Sequence, residues 1–303
     1  MKGNKLHILL AIFCLFFIVF AGCKDGEQTS GDDTDQPAEV EIDSTTSTLV
    51  KFDNTLFSVP SPYQVAYLVK EMELDFNKEY LNPLNRSTNY TNNFKKALNL
   101  GVYGADLGYL NIYEQTPNAI QYFSIVKKFA HELGISSAFN ADIIKRVDAN
   151  MGKKDSLMYI ISHAYRAADS YLKNNARPEI SALILAGGWV ESLHIMTQIT
   201  LVDQSQIEIV NRIGEQKHPL DNLIKVLSPY YNESAEFAEL LDGLIDLAYE
   251  FDGIEFLYTY AEPEVNPDRK LTTINSKSEI VISEEQLQTI SEKIKVIRNK
   301  IIE

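Results

Sequence analysis

Cysteine is nearly missing from this chain of 303 residues: there are two, Cys14 and Cys23, both near the N-terminus. The body of the protein therefore has no disulfide framework, no cysteine nucleophile and no thiolate metal site. Positive charge is also scarce, with 28 Lys and Arg against 42 Asp and Glu and a formal net charge of −14. No basic cluster offsets that field, which would repel a phosphate backbone, so nucleic acid is excluded as a partner class. The sequence has no Gly-x-Ser-x-Gly, no His-Glu-x-x-His and no phosphate loop followed by Lys and Ser or Thr. The familiar signatures of serine hydrolases, zinc proteases and P-loop nucleotide binders are thus lacking. Nor does any segment recur at a fixed period, which argues against a helical repeat array.

What is present starts with an address. Lys2 and Lys5 precede the apolar run HILLAIFCLFFIVF, which leads to the small residues Ala21 and Gly22 just before Cys23. A short apolar run with basic residues before it and small residues after it is a secretory leader. It falls short of the roughly 20 residues a bilayer-spanning helix needs. The junction resembles the lipobox of bacterial lipoproteins, with Phe20 where that motif usually has Leu. The resemblance implies removal of residues 1–22, lipidation of Cys23 by palmitate or similar acyl chains, and residence in a bacterial envelope, foremost at the outer membrane.

Loss of Lys2 and Lys5 with the leader would deepen the net charge of −14 by two. An anionic membrane surface would repel such a chain, so attachment is expected through the acyl chains, more than one of which makes a stable anchor. The stretch KDGEQTSGDDTDQPAEVEIDSTTST, residues 24–48, is acidic and nearly free of large apolar side chains, as a disordered tether would be. An acidic stretch directly after the lipidated Cys also resembles the surface-export signals of Bacteroidetes-type lipoproteins. The expected organisation is a leader over 1–22, the lipidated Cys23 and an acidic tether over 23–50, and one helical domain over 51–303.

Within that domain the periodicity is helical almost throughout. The expected fold is all-α, an irregular bundle of about eight to ten antiparallel helices. Starts are marked by Ser61 with Pro62, by Pro117, by Ser136 with Ser137, by Pro178 and by Ser283, where Gln286 completes the spacing of a capping box. Helices are expected over 93–114, 155–174, 204–216 and 234–258, with a short one from Leu220. The last helix carries Leu287, Ile290, Ile294, Ile297 and Ile301 at alternating steps of three and four. That stripe is too short for a coiled coil and should dock on the domain, leaving the chain a monomer. SEIVIS, near residue 280, is the one plausible strand.

The segment NLGVYGADLGYLNIY holds Gly101, Gly104 and Gly108 in one narrow sector of a helix. Glycine costs a helix interior roughly 0.5–1 kcal/mol each, so an offsetting contact is expected. The natural partner is the helix containing Gly187 and Gly188, with the two backbones in close approach. Asp106 is the single charge on the first helix and needs a partner, such as a tyrosine hydroxyl or a neighbouring helix end. It projects with Tyr113 away from the glycine face.

On the second helix Glu191, His194 and Gln198 share a face beside Trp189. That face reads most simply as a polar stripe turned to solvent. Asp106, Tyr113, Trp189, Glu191, His194 and Gln198 are the candidate ligand-binding residues. Glu191 with His194 and Glu215 with His218 form two Glu-x-x-His pairs, which resemble those of di-iron carboxylate bundles. The lone glutamates of that family are missing, so no metal or cofactor is assigned. Function is expected to be non-catalytic: an envelope module binding a partner protein or small ligand. A helical-bundle enzyme or metal protein using Asp106, Glu191 and His194 is the alternative.

Overall fold

Two long helices, α1 (Asn93–Ile112) and α3 (Pro178–Val202), form the centre of the protein and are buried along most of their length. The computed structural model describes residues 48–52, 55–59, 74–136, 170–202 and 207–303, with isolated positions between 145 and 160. All of them belong to one compact unit, Asp43–Glu303. The leader, Cys23 and most of the tether lie outside the described residues, as do the helix expected at Ser61 and Pro62 and the one expected after Ser136 and Ser137. Most of the helix expected over 155–174 is likewise outside; residues 170–174 are helical.

The irregular all-α bundle expected from the periodicity is the architecture observed. Among the described residues it also includes α2 (Thr116–Glu132), α4 (Ile207–Gly214), α5 (Lys217–Leu227), α6 (Ala235–Asp252) and α7 (Glu284–Ile302). Local chemistry sets the ends. The side chain of Asn92 accepts from the Lys95 amide to start α1, and Ser234 accepts from Phe237 to start α6. The capping box of α7 forms as its spacing predicts: Ser283 accepts from the Gln286 amide, and Gln286 accepts from the Ser283 amide.

By length and composition α3 could cross a membrane, yet 94% of its apolar window is buried within the bundle. It is the core helix. The glycine faces explain how α1 approaches it. A methyl group on Gly101 would overlap the Ile184 carbonyl and the Gly188 amide, and one on Gly187 would overlap the Leu98 carbonyl. Only hydrogen fits between the backbones, and the resulting contact offsets the propensity cost of glycine. Helix α7 lays Leu287, Ile290, Ile294, Ile297 and Ile301 into the same core, so its stripe is used up inside the domain.

Three two-stranded antiparallel sheets accompany the described helices. Strands β1 (Thr48–Phe52) and β2 (Thr55–Val59) pair with Thr48 opposite Val59, so a described strand reaches into the stretch read as tether. The helix expected over 234–258 ends at Asp252, capped by Gly253. Residues beyond it instead form β3 (Glu255–Thr259), which pairs with β6 (Lys277–Val281). Between them β4 (Glu264–Asn266) pairs with β5 (Leu271–Thr273).

These four strands are two halves of one long hairpin. Ser276 joins the halves, its hydroxyl accepting from the Ala261 amide and donating to the Ala261 carbonyl. The tip turns through residues 267–269 and Lys270, which takes a left-handed conformation at φ 50°. The run EFLYT is rich in aromatic and β-favouring side chains, and its pairing with SEIV outweighs the helical pattern that leads into it.

Candidate functional site

Polar side chains converge at the middle of the bundle. On α3, Glu191 is fully buried, and on α7 Arg298 is 6% exposed. The guanidinium donates from Nε to Glu191 Oε2 at 2.6 Å and from Nη2 to Oε1 at 2.6 Å, a two-pronged pair that occupies both carboxylate oxygens. Nη2 also donates to the Tyr80 carbonyl at 3.0 Å.

Asp106, on α1, lies within hydrogen-bonding reach of Glu191 and is itself fully buried. Its Oδ2 accepts from the Asn82 amide at 3.1 Å, while Oδ1 meets no donor among the described residues. Burial, and then the charge of Glu191, hold the Asp106 carboxyl well above the usual carboxylate range, against the opposing pull of Arg298. A protonated Asp106 can donate to Glu191, which accounts for a carboxyl pair with no other donor between them. With Asp106 neutral, Glu191 and Arg298 balance, and the buried centre carries no net charge.

The segment 74–90 lies across this centre, and tyrosines stitch it down. Tyr113, Tyr103 and Tyr122 donate to the carbonyls of Leu74 at 2.7 Å, Pro83 at 2.9 Å and Asn82 at 2.8 Å. Tyr109 accepts from the Asn77 amide at 3.1 Å. A covered irregular segment must have its backbone groups satisfied, and side chains of α1 and α2 supply the partners that regular structure cannot. Asn82 Nδ2 donates to Tyr90 and Asn99, which in turn donate to the carbonyls of Ile302 and Ile301 at the end of α7. These acceptors are among the last carbonyls of a helix, which have no partner within it.

The residues predicted from sequence divide accordingly. Asp106 and Glu191 meet; Tyr113 belongs to the stitching of 74–90 and stacks near Phe76 and Tyr109. Trp189 is buried and donates to Gln216 at 3.2 Å. Gln198 donates to Ser291 of α7 at 3.4 Å. The face of Glu191, His194 and Gln198 is therefore not a solvent-facing stripe. It is the seam between α3 and α7, because Arg298 and Ser291 offer it polar partners. His194 is 5% exposed, and its Nδ1 has no hydrogen-bond partner among the described residues. Burial first, then the charges of Arg298 and Lys295, bring its pKa down to about 3, so the ring is neutral.

The second Glu-x-x-His pair stands elsewhere, with Glu215 and His218 exposed and Glu215 paired to Arg212 at 2.6 Å. Among the described residues no three His, Cys, Asp or Glu side chains come together as a metal site would need. A groove of about 620 Å³ lies between α6, α7 and the start of α1, floored by Leu98, Leu240 and Ile297. None of the sequence candidates lines it.

Sequence reasoning missed Arg298, Asn82 and Asn99. Arg298 was within reach: it sits four residues after Ile294 and three before Ile301, hence beside the apolar stripe rather than opposite it. The asparagines offered no such signal. No family model, no curated protein and no solved structure matches this chain.

Proposed function

We propose that this protein is a lipid-anchored envelope module, held by acyl chains on Cys23, that works by docking a partner protein or small ligand rather than by catalysis. The anchor rests on the leader and the lipobox-like junction at Cys23. One observation carries the docking role: the hairpin over 255–281 holds its apolar side chains in solvent. Tyr258, Tyr260, Val265 and Ile274 are each about two-thirds exposed or more, with Phe256, Leu257 and Leu271 close to half. Exposed apolar side chains gathered on one hairpin of a charged protein favour an interaction site there.

The catalytic alternative loses support from burial. Asp106 and Glu191 are out of reach of any substrate, and both Glu191 oxygens are held by Arg298. The test is recovery from the native envelope. Cys23→Ser should abolish acyl labelling and release the chain from the membrane fraction. Replacing Tyr258 and Tyr260 together by serine should leave it membrane-bound but strip whatever co-purifies with it. Unchanged acyl labelling would remove the anchor, and unchanged co-purification would remove the docking role.

A further inference from the structure

Strand β6 is the inner strand of the hairpin's base. Its Ile280 is half-buried against Gly214 of α4, so closely that a methyl group on that glycine would overlap Ile280. Strand β3 is the outer one, and all five of its residues are exposed. Among the described strands it pairs only with β6, so one edge presents unpaired backbone donors and acceptors. Proteins usually blunt such an edge with lysine, proline or a bulge. β3 reads Glu-Phe-Leu-Tyr-Thr: it carries no lysine, proline or bulge, and its one charge, Glu255, stands at the end of the strand. A two-stranded ribbon is also marginal alone in water, whereas more strands with an apolar face are stable.

We propose that the β3 edge pairs with the β3 edge of a second copy of this chain, making a four-stranded antiparallel sheet across a two-fold axis at Leu257. This rests on the docking role given above and names its occupant. In the register that pairs all five residues, Leu257 meets Leu257 of the other copy, Phe256 meets Tyr258, and Glu255 meets Thr259. Aromatic and aliphatic cross-strand pairs are favourable, and no like charges face each other. The same operation on β6 would set Glu279 against Glu279, so charge also selects β3. The contact is self-complementary and closes on itself, as a two-fold interface must. Five paired residues make a small interface, and tethering both copies to one membrane would raise their effective concentration.

The test uses the full chain in detergent with Cys14 and Cys23 changed to serine and one new cysteine. A residue on a two-fold axis lies opposite itself, within the separation a disulfide tolerates. Leu257→Cys should therefore cross-link under mild oxidation at least about tenfold faster than Lys277→Cys. Sedimentation should show a concentration-dependent dimer, lost in Leu257→Lys and tightened in Thr259→Lys, whose ammonium would face Glu255. Circular dichroism checks that each variant is folded. A monomer at every concentration, or equal cross-linking at both positions, overturns self-pairing. In that event, loss of envelope co-purification in Leu257→Lys would leave the docking role standing, and unchanged co-purification would remove both.

Discussion

The seam between α3 and α7 and the hairpin over 255–281 reverse the usual distribution of side chains. The seam buries two carboxyl groups and a guanidinium; the hairpin leaves phenylalanine, leucine and tyrosines in water. Both arrangements are costly unless something offsets them, and the offsets differ in kind. Inside, the partner is already present: Arg298 holds Glu191 at 2.6 Å, and burial with the charge of Glu191 raises the Asp106 carboxyl well above the usual carboxylate range. Outside, no partner is in place, because nothing within the described chain covers β3. A polar group in a core points to structure when its bonds are complete, whereas exposed apolar surface points outward to an occupant.

The contrast can be broken first at the seam. Arg298→Met leaves Glu191 charged and buried without its counter-ion, and denaturant unfolding should show a loss of about 3–5 kcal/mol. Adding Glu191→Leu to that variant should restore part of it; no recovery would mean that packing, not charge, explains the loss. Next in size, Gly187→Ala forces α1 and α3 apart, with an expected cost of roughly 2–3 kcal/mol on the same measurement.

Asp106→Asn sharpens the comparison through pH. Because the Asp106 carboxyl is raised in the fold, its contribution is complete below the unfolded carboxylate range and is lost as pH rises through the folded value. Asparagine can accept from Asn82 and donate to Glu191 at every pH. The variant should match the parent in acid and exceed it increasingly as pH rises; parallel melting curves across pH would refute a protonated Asp106. His194 acts with the opposite sign, since its pKa falls from 6.5 to about 3 and stability drains away as pH drops through that window. The smallest effect belongs to the hairpin. Replacing Tyr258 and Tyr260 by serine should move stability by no more than about 0.5 kcal/mol, while co-purification disappears.

Features that depend on a few neighbouring residues were legible. The capping box of Ser283 and Gln286 needs only a spacing of three, and the match of Gly101 to Gly187 and Gly188 follows from helical arithmetic plus the cost of glycine. The isoleucines of α7 likewise announced a docked face. What failed was non-local. The place of Arg298 beside the apolar stripe of α7 was legible, but not that it and Ser291 would meet Glu191 and Gln198, 107 and 93 residues away respectively. Half of the hairpin was legible, since SEIVIS reads as a strand and β6 forms there; the other half was hidden, because EFLYT continues the pattern of α6 until its pairing with residues 277–281 is known. Segment 74–90 has no periodicity at all, and its path depends on tyrosines that lie on other elements.

The bonds that fasten α7 also dictate when the centre can form. Arg86 and Tyr90 reach the Ile302 carbonyl across 216 and 212 residues, and Arg298 reaches Tyr80 across 218. Links of such separation pay the entropy of closing a long loop before they return any stability, so the centre is expected to assemble after the helices that flank it. Until residues 298–302 arrive, Glu191 lacks its counter-ion and segment 74–90 lacks part of its clasp. A chain still missing that stretch is therefore held back from its native packing, a useful delay for a protein that we infer is threaded across a membrane before it folds.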